Sequence, residues 1–200
     1  MGSMGIAAIV VAGTLVLATH AASAGAKVSV KNSFYEISGK NGAALLAAMD
    51  RSGPKHGFLT RAIAQTRYTV SWEIDWTRTG DGCKVREANA RLAITYTYPR
   101  LGGTVSADLK RRWDRFLVGV RKHEEVHGAL ARKMVIAAEK AVSGFSLRGD
   151  RSCGRIKKEV KRRVDAIYAR YEAQQVAFDE KEHRDGGPVE GLVAALVKNR

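Results

Sequence analysis

The residues of this chain whose types and spacing carry chemistry are His123-Glu124-Glu125-Val126-His127. Two histidines four apart on a helix stack on one face, because 3.6 residues make a turn, so both imidazoles can reach one ion. The pattern H-E-x-x-H is that of a zinc site in which the glutamate after the first ligand serves as general base. Glu124 is placed to accept a proton from water, and a Zn2+ cofactor would acidify that water. Five-residue patterns also recur by accident. Against accident stands the stripe that holds this one: Trp113, Phe116, Leu117, Val120, His123, His127, Leu130, Met134 and Val135 follow at helical spacing. Both histidines are therefore expected to point inward, where two imidazoles and a carboxylate are costly unless satisfied.

Catalytic zinc takes three protein ligands and leaves a position open, so a third donor must come from elsewhere. Glu139 lies twelve residues past His127, about 18 Å along a continuous helix, and is too far. The second helical segment offers Glu172, Asp179 and His183. A simple hairpin turning near Arg148 sets Glu172 opposite the motif, whereas His183 requires the helix to end and the chain to fold back. Ligand chemistry favours His183, since imidazole is a common zinc donor. Tyr168 and Tyr171 are candidates to steady an oxyanion.

The elements that must position these groups read as an α+β chain. Residues 1–24 look like an export signal: Ile6 to Leu17 is apolar, Ala22-Ser23-Ala24 supplies small residues, and the run falls short of the about 20 residues of a membrane span. Residues 25–200 then form one domain, β-rich over 27–100 and helical over 104–200, with no membrane span after cleavage of the signal. Lys27 to Gly39 alternates as one or two short strands, and Asn41 to Met49 reads as a short helix. Tyr68 to Trp76 and Cys83 to Tyr98 form a hairpin around Thr79-Gly80-Asp81-Gly82, ended by Pro99 and Gly102-Gly103. The expected sheet is small and antiparallel, and the aromatic residues of the hairpin are expected to be packing rather than a groove. A long helix follows, opened by Ser106 or Asp108 and closed at Ser143-Gly144. A second runs from Cys153 to about Glu182 and packs on it. Leu192 to Val197 makes a last short helix.

Cys83 and Cys153 are the two cysteines. In an oxidising periplasmic or extracellular setting they are expected to join, closing a loop of about 70 residues worth roughly 4 kcal/mol. The net charge is +14, with basic clusters at Lys110, Arg111, Arg112 and Arg115 and at Lys157, Lys158, Lys161, Arg162 and Arg163. Such faces suit an anionic envelope surface or are simply solvated. No zinc-finger spacing, ribonucleoprotein signature or basic arm is present, so nucleic acid is not an expected partner.

An apolar export segment, Cys83, Tyr98-Pro99, Trp113 and then the HEEVH block together resemble a bacterial family of predicted secreted zinc-dependent proteases. The resemblance spans about Val28 to His183. It implies a periplasmic or secreted zinc metalloprotease, a hydrolase acting on a peptide or protein substrate, with His123, His127 and His183 as metal ligands and Glu124 as the catalytic base. An Asp and a His near the family's C-terminal end correspond best to Asp179 and His183. The chain departs there, with Glu182 and Arg184 flanking His183 where the family pattern has Thr and Gly. Glu172 and Asp179 stay as alternative third ligands. The competing expectation is a non-catalytic basic envelope protein that binds anionic polymers.

Overall fold

A computed structural model of the chain describes residues 26–56 and 60–198, so the export segment expected over 1–24 lies outside the described residues. In chain order the elements are β1 (Lys27–Ile37), α1 (Gly42–Ser52), the two-residue strands β2 (Lys55–His56) and β3 (Thr60–Arg61), β4 (Gln65–Thr79), β5 (Gly82–Leu101), α2 (Ala107–Val142), β6 (Ser146–Arg148), α3 (Gly154–His183) and α4 (Pro188–Val197). The architecture is α+β, a β region followed by helices. Among the described residues no helix is long and apolar enough to cross a membrane.

The main sheet is mixed, which corrects the antiparallel expectation. Its order is β1-β5-β4, with β1 parallel to β5 and β6 added antiparallel to the start of β5. The reason is connectivity. From β1 the chain crosses over through α1, β2 and β3 and enters β4 two positions away, and the β4–β5 hairpin then returns β5 into the gap, in the direction of β1. Pro99 does not end β5. The pairing with β4 stops at Gln65 opposite Thr97, so Pro99 pairs only with β1, and a residue without an N–H is tolerated there.

On β5 the buried residues Ala88, Ala90, Leu92, Ile94, Tyr96 and Tyr98 alternate, as a sheet with one covered face requires. The step from Val85 to Ala88 breaks the alternation. A bulge at Asp75/Trp76 inserts Arg86 as an extra residue, which keeps both Val85 and Ala88 facing inward. Helix α2 lies on this covered face. Ser106 caps it, its hydroxyl accepting from the Leu109 amide, while Asp108 sits within the first turn. Positive-φ Gly144 follows its end and lets the chain reverse.

Helix α3 returns antiparallel along α2. The junction is closed by a Cys83–Cys153 disulfide with Cα atoms 5.3 Å apart. Buried Asp150 accepts from the Ile156 amide at 2.7 Å and supplies the cap that Cys153, in a left-handed conformation, does not. Below the disulfide, Val85, Val142, Ile156 and Val160 pack together. A second cluster, around Leu45, Met49, Leu92, Ile94, Trp113, Phe116 and Leu196, joins α1, the sheet, α2 and α4. The aromatic residues of β4 belong to these cores: Trp72 and Trp76 are half-buried, and the Trp72 indole donates to the Tyr168 hydroxyl at 2.9 Å.

Candidate metal centre

His123 and His127 sit one turn apart on α2, but not at the middle of its apolar stripe. The most buried line there is Glu124 and Gly128, which faces the sheet. The histidine side chains, 10% and 11% exposed, flank that line and turn toward α3. The helix is wedged between a sheet and a second helix, so the motif divides. Glu124 faces one neighbour and the two imidazoles face the other.

Three donor atoms converge. The Nε2 atoms of His123 and His127 lie 3.2 Å apart, and Asp179 Oδ1 lies 2.9 Å from the latter and 3.3 Å from the former. Gln175 fixes the ring of His127. Its amide nitrogen donates to the His127 carbonyl oxygen at 3.2 Å, which turns its oxygen toward Nδ1 at 2.6 Å. Nδ1 therefore carries the hydrogen, and in the neutral ring the Nε2 lone pair points at the other two donors. Phe178 packs against both rings, with centroids at 4.9 and 5.2 Å. His183, the last residue of α3, stands edge-on to His123 at 5.2 Å between centroids, and one ligand atom each from His123, Asp179 and His183 falls within 4.8 Å of the others.

Of the residues expected as donors, the structure thus gathers His123, His127, Asp179 and His183. Glu172 lines the same cleft but stands seven residues before Asp179, about 10 Å along the helix. The chain does not fold back to present His183, because α3 continues to that residue. What differs from a hairpin turned at Arg148 is the register. The segment carrying β6 leads away from α2 before α3 starts, so facing residues pair about a point near Ser152. Glu139, excluded on distance, is buried and accepts from the Ala90 amide at 2.7 Å.

Glu124 reaches the sheet. The Thr66 hydroxyl donates to Glu124 Oε2 at 2.6 Å and lies 3.1 Å from its carbonyl oxygen, while Oε1 has no protein partner among the described residues. The approach depends on Gly128. A Cβ there would overlap the Tyr96 hydroxyl. Tyr168 is committed to Trp72, and Tyr171 is not a wall of the cleft; the tyrosine that lines it is Tyr68, on β4.

Neither Thr66 nor Gln175 stood out in the sequence, and Tyr68 was expected to be packing. Gln175, Asp179 and His183 recur every four residues, a polar row on α3 facing the two histidines of α2, and that spacing was the available signal. Thr66 carried none, since its partner is 58 residues away.

The cleft above these groups measures about 940 Å3 and is walled by residues 61–68 and by α2, α3 and α4. Burial by itself pushes the His127 pKa down, but hydrogen bonds to Asp179 and Gln175 and the nearby Asp179 and Glu124 charges outweigh it, and the net shift is upward. Asp179 is the counterpart: burial raises its pKa, yet the two imidazoles hold its carboxyl below the usual carboxylate range.

The donor set fits a small divalent ion. Ligand atoms about 2.0–2.1 Å from a tetrahedral zinc stand roughly 3.3 Å apart, and the three separations here are 2.9, 3.2 and 3.3 Å. An anionic oxygen facing two imidazole nitrogens at that range needs a cation or a proton between them. His123 Nδ1 is buried without a partner, so this centre is not fully satisfied by its own hydrogen bonds.

Fold and site together define an α+β protein with a helix-borne H-E-x-x-H motif and an acidic partner on the opposing helix. Residues 32–187 match the family model described as Bacterial protein of unknown function (DUF922), and the chain belongs to that family. No curated protein and no solved structure matches the chain at a significant level.

Proposed function

We propose that this protein is an exported zinc-dependent metallopeptidase. The observation that carries the reading is the convergence of His123, His127 and Asp179 within 3.3 Å of one another beside Glu124. His123, His127 and Asp179 would hold the ion, with His183 as a further donor next to His123. Zinc held there supplies Lewis acidity, polarising a peptide carbonyl and acidifying water. Glu124 takes the water proton through Oε1, which is free, while Thr66 holds Oε2 and keeps the carboxylate aimed. Gln175 keeps His127 in the tautomer that offers Nε2 as a lone pair. Tyr68, whose phenol pKa is pushed up by burial and by Glu172, stays a neutral donor facing the cleft, suited to an oxyanion. The disulfide supports an oxidising compartment, hence export.

The alternative, a basic polymer-binding protein, draws on the net charge of +14. The clusters that suggested it are partly neutralised: Lys110 pairs with Asp114, Arg111 and Arg112 with Asp108, Lys161 with Asp165, and Arg162 and Arg163 with Glu159. Arg112 also donates to the Leu196 and Lys198 carbonyls at the C-terminal end of α4. Bound zinc and casein hydrolysis in wild type and Glu124→Gln test the peptidase reading. Zinc retained with hydrolysis abolished supports it, and zinc bound without any Glu124-dependent hydrolysis sinks it.

A further inference from the structure

The cleft is acidic in a protein that is otherwise strongly basic. The chain has 34 Lys and Arg against 20 Asp and Glu, yet the side chains around the cleft include six carboxylates and a single Arg, Arg61. The guanidinium of Arg61 is engaged, donating to the Gly53 carbonyl at 2.7 Å. Elsewhere on the surface many acids are ion-paired, among them Glu36, Glu73, Asp75, Asp108, Asp114, Glu159 and Asp165, although exposed Asp81, Glu87, Glu125 and Asp185 have no Lys or Arg partner among the described residues. Among the described residues Asp50, Glu172 and Glu180, all exposed at the cleft, pair with no Lys or Arg. These acids do not stand alone as a cluster. They rim a cleft that already holds the donor triangle and His123, nine-tenths buried with Nδ1 unpartnered.

We propose that the cleft selects extended peptide segments bearing Lys or Arg, seated by Glu172 and Glu180 of α3. The inference rests on the peptidase reading for its chemistry, but its recognition step is independent. Glu172, Val176 and Glu180 follow at four-residue spacing on α3 and all line the cleft, with Val176 49% exposed between the two carboxylates. That row suits a side chain with an apolar stem and a cationic head: the stem lies on the valine and the head meets a carboxylate. Eight helical residues span about 12 Å, and an extended peptide advances roughly 3.3 Å per residue. Cations four positions apart lie on one side of an extended chain and therefore reach both acids. Lys and Arg elsewhere on the surface repel a basic segment, which leaves the cleft as its favoured contact.

The test compares two nine-residue peptides, one with two lysines four positions apart and one with glutamines in their place. Binding is measured by titration calorimetry on zinc-loaded full-length Glu124→Gln, which turns nothing over, with and without the added pair Glu172→Gln and Glu180→Gln. The lysine peptide is expected to bind about fivefold tighter, the size of two exposed ion pairs. The preference is expected to vanish in the added variants and to fade as salt rises. Equal binding of the two peptides, or a preference that survives both substitutions, overturns the proposal. Glu124-dependent casein hydrolysis with no lysine preference removes this inference and leaves the peptidase. Lysine-selective binding with no hydrolysis by the wild type removes the peptidase and leaves a cleft for basic peptides.

Discussion

The two ends of the α2–α3 hairpin solve the same problem in opposite ways. At the turn, the helices are held by a disulfide, by Asp150 capping α3 and by the packing of Val85, Val142, Ile156 and Val160. At the far end the facing side chains are His123, His127, Gln175, Asp179 and His183, and one buried nitrogen has no partner. A covalent link and an apolar core make the first end independent of any ligand. The second is polar, and its own hydrogen bonds leave the buried His123 Nδ1 without a partner. A fold secured at one end in this way tolerates an incompletely satisfied polar cluster at the other.

The sharpest way to break this contrast is at the base. Glu124→Gln is expected to lower hydrolysis about 10^3-fold with zinc content unchanged, read by initial rates and metal analysis. Next comes metal removal. Chelation is expected to cost the folded state about 4 kcal/mol where free zinc had stood at a thousand times its Kd, with hydrogen exchange rising at the histidine end and not at the disulfide end. The pH dependence should separate the two forms. Because the folded pKa of His127 is raised, its contribution to the metal-free protein is fully present below about pH 6.5 and lost as pH rises through the folded value. Zinc affinity runs the other way, falling as protons reclaim the ring. Thermal melts across pH 5–9 with and without zinc check both signs.

Replacing Cys83 and Cys153 by Ser addresses the opposite end. It is expected to cost roughly 4 kcal/mol in denaturant unfolding and to leave zinc affinity within about twofold. A smaller effect is expected for Thr66→Val, about tenfold in kcat with KM unchanged and recovery in Thr66→Ser, because the hydroxyl only aims a carboxylate. Asp150→Asn is the mildest. Burial raises the Asp150 pKa, but the Ile156 and Arg155 amides and the Ser152 hydroxyl together draw it below its ordinary value. Its charge stabilises α3 above the unfolded carboxylate pKa, and that contribution is lost as pH falls through the folded one. Wild type and variant should therefore differ in unfolding midpoint at pH 7 and converge in acid.

The sequence carried much of this hairpin and less of the sheet. Helical spacing from Trp113 to Val135 was enough to place the motif on α2, and the glycines at 144, 186 and 187 marked where helices stop. The register between the helices was not legible, because it depends on how far the segment around β6 runs before α3 begins. That single length decides whether Glu172 or Asp179 stands before His127. The parallel pairing of β1 was hidden for a related reason: alternation reveals which face of a strand is covered and says nothing about the direction of its neighbour. Thr66 was invisible because a lone threonine in a strand has many uses, and only the fold brings it to Glu124.

Gly128 follows His127 directly, and the Tyr96 hydroxyl occupies the space that its missing methyl leaves. The absent carbon thus works as a spacer of zero thickness between helix and sheet. Were it present, α2 would ride higher on β5, Glu124 would lose its reach to Thr66, and the carboxylate and imidazoles would shift together as one rigid piece. A site built from three separate segments is in this way kept in focus by the smallest residue beside it.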